Sequence, residues 1–495
     1  MKNLHSLLKH LEYKYIGGRS ALSLVVRGLA YNSADVRRGS AFFCLEGARA
    51  DGHDFALEAY GRGARIFFCE RPLPIPADSV QILVKNSRKA LALVSAEFFS
   101  HPEKNVTLIG ITGTKGKSTV CEMICHIFAH AGKKCAVIGT LGIKIDGAEH
   151  ETENSTPESY VIYKALAETA QRGIKYVAME VSSQALCTFR VHGLHFAAAV
   201  FTNLSRDHIG AHEHPSFEHY KEAKKSLFRI TELAFICADD FFAREFAAAC
   251  HCPVQTYGTA ASADIRAVSL LPMRRRGAFG ISFSCLAGGE EAHTALPLPG
   301  DFSALNALAA MSVCLRFGVP LCVCAKALED VRVRGRFEPV PCARQDIACI
   351  IDYAHNAVSL EKTLAALREY EPHRIICVFG SVGGRTRGRR RELAEVATRL
   401  ADVCIVTSDN PDFEAPEDII EEIAAHIPAE KCICIADRAK AVGYALELAE
   451  SGDFLLFAGK GHEEYQLVRG KKLPFSEREL IKNHIFSKKD IIPFP

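Results

Sequence analysis

Residues 106–124 read VTLIGITGTKGKSTVCEMI: an apolar run, a glycine-punctuated loop and a stretch with helical spacing. Glycines at 110, 113 and 116 let the backbone turn so that its N–H groups converge on an anion. The helix predicted to follow turns its positive N-terminal end toward that anion. Lys117 adds a point charge for β- and γ-phosphates, and the Ser118 hydroxyl suits Mg2+. The strict G-x-x-x-x-G-K-[ST] template fails by one place, because its first glycine would fall on Ile111. Lysine, hydroxyl and backbone donors all survive that shift, so the stretch reads as an ATP- or GTP-binding loop. Its candidate contacts are Gly113, Thr114, Lys115, Gly116, Lys117, Ser118 and Thr119.

Working outward, a chain of 495 residues is too long for one ordinary core. Apolar residues at 48% and charged residues at 24% describe a globular protein, and a net charge of +2 gives no nucleic-acid or membrane surface. No run reaches the roughly 20 apolar residues of a membrane helix, and the opening MKNLHSLLKHLEYKY lacks the apolar stretch of a signal peptide. Nineteen scattered cysteines therefore suggest reduced thiols in the cytoplasm rather than a disulfide framework. From Val106 onward strands alternate with helices (VTLIGIT, KCAVIGT, YVAMEVS, AAAVFTN, LAFICAD), which predicts a parallel sheet. A patch containing Arg274–Arg276 reads as a solvated loop, and the apolar helix Phe302–Phe317 ends at Gly318. A further βα series follows: ACIIDYA, HRIICVFG, DVCIVTSD, KCICIAD and DFLLFAG. Linkers are expected near 102–105 and 331–335, where His101-Pro102 ends a helix over Ser87–Phe99.

A phosphate loop specifies a nucleotide, and the neighbouring strands must supply the rest. Glu180 stands at the end of YVAME, where a carboxylate commonly holds a metal or a substrate. Asp207 and His208 follow the strand AAAVFTN. His212 and His214 read as ordinary histidines; they could form a metal pair, but no cysteine or third histidine stands at a zinc-like spacing.

With GITGTKGKST, MEVSSQAL, FTNLSRDHIGAH, DYAHNAVSL, SDNPDFEAP and AGKGHEEYQ in order, the sequence resembles the Mur ligase family over nearly its whole length. The likeness is closest to the MurE branch, the UDP-N-acetylmuramoyl-tripeptide synthetases of peptidoglycan synthesis. It implies three α/β domains. A small N-terminal α/β domain over 1–104 would bind the UDP-sugar, and a P-loop-type parallel-sheet domain over 105–334 would bind ATP. A Rossmann-like domain over 335–495 would bind the amino acid. Such enzymes phosphorylate a carboxylate with ATP and let an amine attack the acyl phosphate, giving an amide, ADP and phosphate.

By the same resemblance Ser118 and Glu180 ligate one Mg2+, and His208 contacts a second. Lys224 in HYKEAKKSLF carries a CO2-derived carbamate, so that Lys117, Lys224 and His208 form the catalytic set. Asn306 and Arg336 meet the base and ribose of ATP, and Asp352 and His355 contact the nucleotide from the third domain. The UDP-sugar-dipeptide would lie on Tyr31, Ser33 and Ala48, Arg49 and Ala50, then on Asn154, Ser155, Thr156, Ser182, Thr188 and Arg190. The amino acid would meet Arg385, Asp409, Asn410, Pro411, Asp412, Gly459 and Glu463.

Relatives that add meso-diaminopimelate usually show D-N-P-R, and here the run is Asp409-Asn410-Pro411-Asp412. An acid at 412 repels a distal carboxylate and attracts an ammonium, so L-lysine or ornithine is the expected amino acid, with diaminopimelate the alternative. Two rivals stand further off: a folylpolyglutamate synthetase and a non-catalytic nucleotide switch. The expected partners are small molecules only, the UDP-N-acetylmuramoyl dipeptide and the diamino acid, with no nucleic acid, no membrane and a monomeric chain.

Overall fold

The computed structural model describes residues 2–17, 23–47, 50–207, 209–210, 213–275, 278–384 and 387–485. Two compact units emerge, Met1–Arg266 with Leu308–Cys324, and Ala267–Ala307 with Ala325–Pro495. The expected contacts Ala48, Arg49, His208 and Arg385 lie outside the described residues.

The first unit opens with a sheet of strands β1 (Lys14–Ile16), β2 (Gly28–Ala30), β3 (Ser40–Phe43), β4 (Ile66–Cys69) and β5 (Val80–Leu83). Their order is β1-β5-β4-β3-β2, parallel except for β1 at the edge. Phe43 stacks on Phe68 with ring centroids 4.2 Å apart. Helix α1 (Ser87–Phe98) begins where the Asn86 side chain accepts from the N–H of Lys89. Its Ala90, Leu91 and Val94 face that sheet at helical spacing.

A second sheet in this unit comprises β6 (Thr107–Thr112), β7 (Cys135–Gly139), β8 (Gly142–Ile145), β9 (Ala148–His150), β10 (Tyr176–Glu180), β11 (Ala198–Phe201), β12 (Ala234–Cys237), β13 (Val254–Gly258) and the start of β14 (Ile265–Arg275). The order runs β9-β8-β7-β10-β6-β11-β12-β13-β14. Strands β7, β10, β6, β11, β12 and β13 are parallel, as their uninterrupted apolar runs predict. Helix α2 (Lys117–His130) leaves β6, and its buried Val120, Met123, Ile124, Ile127 and Phe128 define one apolar face. Each such side chain contributes about 1.5–3 kcal/mol on burial. From β6 the chain winds through β7 to β10 on one side, then crosses to β11 on the other. The carboxyl end of β6 is therefore the point at which strand order reverses, where open α/β sheets bind ligands. Helices α3 (Ser159–Gln171), α4 (Ser183–Cys187) and α5 (Phe217–Lys225) belong to this part.

The stretch containing Arg274 is not a loop. Arg274 belongs to β14, and β15 (Ala278–Ala287) pairs antiparallel with β16 (Glu290–Leu296). Alternation explains the difference: Phe279, Ile281, Phe283 and Cys285 all point inward from β15. Helix α6 (Asp301–Arg316) matches its expected span within a residue.

The second unit also holds a six-stranded sheet of β17 (Glu338–Val340), β18 (Ala348–Asp352), β19 (Ile375–Phe379), β20 (Val403–Val406), β21 (Cys432–Cys434) and β22 (Phe454–Ala458). The order is β17-β18-β22-β19-β20-β21, parallel from β18 onward. Helices α7 (Ala357–Arg368), α8 (Arg387–Leu400), α9 (Pro416–Ala424) and α10 (Arg438–Leu448) cross between its strands. A hairpin of β23 (Tyr465–Val468) and β24 (Lys471–Pro474) leads to α11 (Glu477–Lys482). Among the described residues no helix is long and apolar enough to cross a membrane, and no cysteine is in a disulfide.

Candidate active site

The phosphate loop is clamped from the neighbouring strand. Past the end of β11, the backbone oxygen of Asn203 accepts from the N–H of Thr114 at 2.8 Å, and Asn203 Oδ1 accepts from the N–H of Lys115 at 3.0 Å. Thr202 Oγ1 donates to the carbonyl of Lys115 at 2.7 Å, and Tyr220 on α5 donates to Thr114 Oγ1 at 3.1 Å. Gly113 has φ +148°, and a Cβ there would stand 1.9 Å from Thr202 Oγ1, so only glycine fits. Gly116, at φ +90°, opens α2 without a side-chain cap, leaving the helix N-terminus to an anion. Lys117 Nζ donates to the carbonyls of Gly113 and Thr114 at 3.0 and 3.1 Å, folded over the loop.

Two oxygen donors meet beside it. Ser118 Oγ donates to Glu180 Oε1 at 2.8 Å, and the same carboxylate accepts from the N–H and hydroxyl of Thr140. Glu180 is 1% exposed, and Gly139 makes room for it, since a Cβ there would lie 2.4 Å from Oε1. A hydroxyl and a carboxylate are the hard oxygen donors that Mg2+ takes, so the set fits that ion.

Lys224, on α5, is buried, and its Nζ donates to the carbonyl of Gly113 at 2.8 Å. Burial, reinforced by the positive charge of Lys117, pushes its pKa well below the usual lysine range. Lys115 pairs with Asp207 at 3.2 Å.

The residues expected to hold the dipeptide gather partly. Thr156 Oγ1 donates to the carbonyl of Glu180 at 2.9 Å and accepts from the N–H of Ser182, while Arg190 donates to the carbonyl of Thr156. Ser155 Oγ lies 2.7 Å from Thr140 Oγ1, which links this segment to Glu180. Asn154 is exposed, and Thr188 donates back to its own helix at Gln184. Glu158 bridges Arg88 on α1 and Arg190. Tyr31 is pushed up to about 12, first by burial and then by the charge of Glu158. Ser33 Oγ donates to Glu58, and Ala50 accepts from Gly47 in an exposed turn.

In the second unit Asp352 ends β18 and accepts from the N–H of Phe337 at 2.7 Å; burial raises its pKa. The Arg336 guanidinium lies over the Tyr353 ring at 4.8 Å, and His355 Nδ1 lies 2.8 Å from the Tyr353 carbonyl. Arg336 also borders a cavity of about 730 Å3 together with Leu298, Arg334 and Phe337. Asn306 is half-buried in α6. At the ends of β20 and β22 a denser cluster forms. Lys460 Nζ donates to Asn410 Oδ1 at 2.6 Å and to Glu463 Oε2 at 3.2 Å, and Asn410 Nδ2 donates to Glu463 at 2.8 Å. Asp409 lies 3.6 Å from Lys460, and Gly459 is required beside it, because a Cβ would stand 2.5 Å from Asp409 Oδ2. Pro411 is buried next to this pair. Sequence reading missed Lys460, although it follows a strand end in GKGH, and it missed the buried pair Arg438–Glu477 beneath, which no local pattern signals.

A phosphate loop at the strand-order reversal, with hard oxygen donors beside it, defines a nucleoside-triphosphate-binding α/β enzyme. Comparison with known proteins narrows this. Residues 25–99 match the Mur ligase family catalytic domain, 111–314 the Mur ligase middle domain and 335–461 the Mur ligase glutamate ligase domain. A Clostridium botulinum protein named UDP-N-acetylmuramoyl-L-alanyl-D-glutamate–2,6-diaminopimelate ligase is 36% identical over 98% of this chain and 99% of its own. A Geobacillus kaustophilus protein of the same name is 38% identical over 97% of this chain and 98% of its own. A solved structure bearing that name superposes with a TM-score of 0.66 at 26% identity, covering 97% of this chain and 98% of the other. A Mycobacterium tuberculosis folylpolyglutamate synthase shares only the fold, with a TM-score of 0.60 at 16% identity over 75% of this chain and 92% of its own. The chain belongs to the Mur ligase family. It is an ATP-dependent, ADP-forming acid–amino-acid ligase of the three-domain α/β architecture, working with Mg2+ on small-molecule substrates.

The expectation of lysine or ornithine is overturned, since relatives matching nearly the entire chain are named for 2,6-diaminopimelate. The physical reason lies at Asp412. Its carboxylate accepts from the N–H of Gly470 at 2.7 Å, and its backbone pairs with Leu467 and Arg469. One of its oxygens is engaged in the hairpin turn, which gives Asp412 a structural role in place of the expected contact to an ammonium.

Proposed function

We propose that this ligase joins meso-2,6-diaminopimelate to UDP-N-acetylmuramoyl-L-alanyl-D-glutamate in the cytoplasm, with domains over 1–104, 105–334 and 335–495. The observation that carries this reading is the 36–38% identity, over 97–98% of the chain, to proteins of that name.

The chemistry follows from what the side chains can hold. Loop amides and Lys117 grip the triphosphate, and Lys117 leaves the carbonyls of Gly113 and Thr114 to do so. Ser118 and Glu180 would hold Mg2+, which when bound offsets the charge of the phosphates. Arg190, Thr156 and Ser182 orient the dipeptide. A carboxylate oxygen of its D-glutamate attacks the γ-phosphorus, the bond to the bridging oxygen breaks and ADP departs. The free amine of diaminopimelate then attacks the acyl carbon, the C–O bond to phosphate breaks and the nitrogen sheds a proton. Activation is necessary because a carboxylate is anionic and has no good leaving group. Lys224 takes part as a carbamate in this reading. Its lowered pKa leaves a neutral amine whose lone pair attacks the carbon of CO2; the nitrogen sheds a proton, and the resulting anion is compensated by Lys117. Asn410, Glu463, Asp409 and Gly459 receive the incoming amino acid.

The test supplies purified enzyme with ATP, the UDP-sugar dipeptide and, separately, diaminopimelate, lysine or ornithine. Fastest ADP release with diaminopimelate is expected; preference for lysine or ornithine would overturn the assignment.

A further inference from the structure

Three metal-binding side chains converge outside the ATP site. Cys187 closes helix α4, which leaves the strand that ends in Glu180. His214 is buried in the segment before α5, and His219 stands exposed in its first turn. One ligand atom from each lies within 4.8 Å of the other two.

The arrangement has further features of a built site. His214 Nδ1 and His219 Nδ1 approach to 2.8 Å, while the far nitrogen, His214 Nε2, lies 2.9 Å from Ser183 Oγ. A hydrogen bond from the far ring nitrogen to a neighbour is how proteins fix the tautomer and ring orientation of a metal-bound histidine. In the tautomer that donates Nε2–H to Ser183, His214 Nδ1 carries the lone pair and faces the second imidazole. Two nitrogens and a sulfur suit a borderline-soft divalent ion, in contrast to the oxygen set at Ser118 and Glu180. Tetrahedral Zn2+ at about 2.0–2.1 Å from each nitrogen needs them roughly 3.3 Å apart, a small opening of the present contact. The exposed edge at His219 provides the way in.

We propose that Cys187, His214 and His219 form a Zn2+ site that pins helix α5, the carrier of Lys224 and Tyr220, to the exit of the strand bearing Glu180. Binding releases the Cys187 thiol proton, and the proton on His219 Nδ1 shifts to its solvent-facing Nε2. Water takes the fourth position. The site rests on these three side chains alone and is independent of which amino acid the enzyme adds.

Chelator-stripped, full-length protein titrated with Co2+ reads the thiolate directly through its sulfur-to-cobalt charge-transfer absorption. One equivalent is expected to develop that band, and Zn2+ to displace it. Cys187→Ser, which keeps the side chain's shape, should abolish the band, whereas Cys434→Ser, at an exposed thiol elsewhere, should preserve it. His219→Ala should lose the affinity at the surface of the protein, where misfolding is not a concern, and Ser183→Ala should weaken it about 10–100-fold. A band absent from the wild type, or one that survives Cys187→Ser undiminished, overturns the site and leaves the histidines as a simple hydrogen-bonded pair.

Discussion

Ser118 Oγ donates to Glu180 Oε1 at 2.8 Å, which ties the first turn of α2 to the end of the adjacent strand β10. The two residues are far apart in sequence, and the strand order alone brings them together. As the donor set for Mg2+, each should be sensitive to a change that keeps its shape. Glu180→Gln and Ser118→Ala are expected to lower kcat about 100-fold or more, equivalent to roughly 2.7 kcal/mol of transition-state stabilisation. A Mg2+ titration of turnover checks the cause: the half-saturating concentration should rise in both variants, and unchanged titration curves would remove the pair from metal binding.

Gly113 gives a prediction that needs no metal. Its φ of +148° excludes ordinary side chains, and the methyl of Gly113→Ala would stand 1.9 Å from Thr202 Oγ1, the group that holds Lys115 in place. The loop must open to accept it, which scatters the converging N–H groups. ATP binding measured by calorimetry should weaken at least about tenfold, or 1.4 kcal/mol, while circular dichroism stays native. Wild-type affinity would show that the loop tolerates a Cβ after all.

The Lys224 carbamate is tested by replacement. Lys224→Ala deletes both the amine and any anion built on it, and turnover should fall about 1,000-fold or more, as for other groups that stabilise phosphoryl transfer. A short-chain carboxylic acid, small enough for the vacated space, should restore part of the activity because it returns a carboxylate next to Lys117. Rescue by a short-chain amine in place of the acid would instead assign Lys224 the role of a cation.

Lys224 also carries a pH signature in stability. Burial lowers its folded pKa well below the ordinary 10.5. Between those two values the unfolded chain binds the extra proton, so this group makes unfolding harder as pH rises. Its penalty on the folded state is full below the lowered pKa and vanishes at 10.5. Lys224→Met removes the penalty, so in CO2-free buffer its urea midpoint should exceed that of the wild type most at about pH 7 and progressively less toward about pH 10. A difference that stays flat across this range would mean that Lys224 is not desolvated.

Sequence carries the parts of this molecule that local chemistry dictates. The apolar runs around the phosphate loop become parallel strands because both sheet faces are covered, and Gly113 and Gly116 are legible because their positive φ favours glycine. Asp412 was misread because its charge was visible while its partner, the N–H of Gly470, lay across a hairpin. The Cys187–His214–His219 group escaped for a similar reason: no short spacing joins a cysteine on α4 to histidines beside α5. At Arg274 the basic residues suggest a loop, whereas the chain there continues as strand β14.

Arg438 and Glu477 form an ion pair at 2.8 Å, and both are buried. The same guanidinium donates to the carbonyls of Ser408 at 3.1 Å and Ala458 at 2.7 Å, the residues just before Asp409-Asn410 and Gly459-Lys460. It therefore spans the two strand ends that would receive the amino acid. Arg438→Met alone strands a buried carboxylate whose pKa burial already raises, and should cost about 3–5 kcal/mol in denaturant unfolding. Arg438→Met with Glu477→Leu should recover most of that loss, because an apolar pair of similar volume replaces the ions without a desolvation penalty. The recovered protein still lacks the guanidinium that joined the two carbonyls, so the strand ends loosen and the KM for the amino acid should rise several-fold more than that for ATP. If the double variant binds its amino acid as the wild type does, the arginine stabilises the fold without positioning the site.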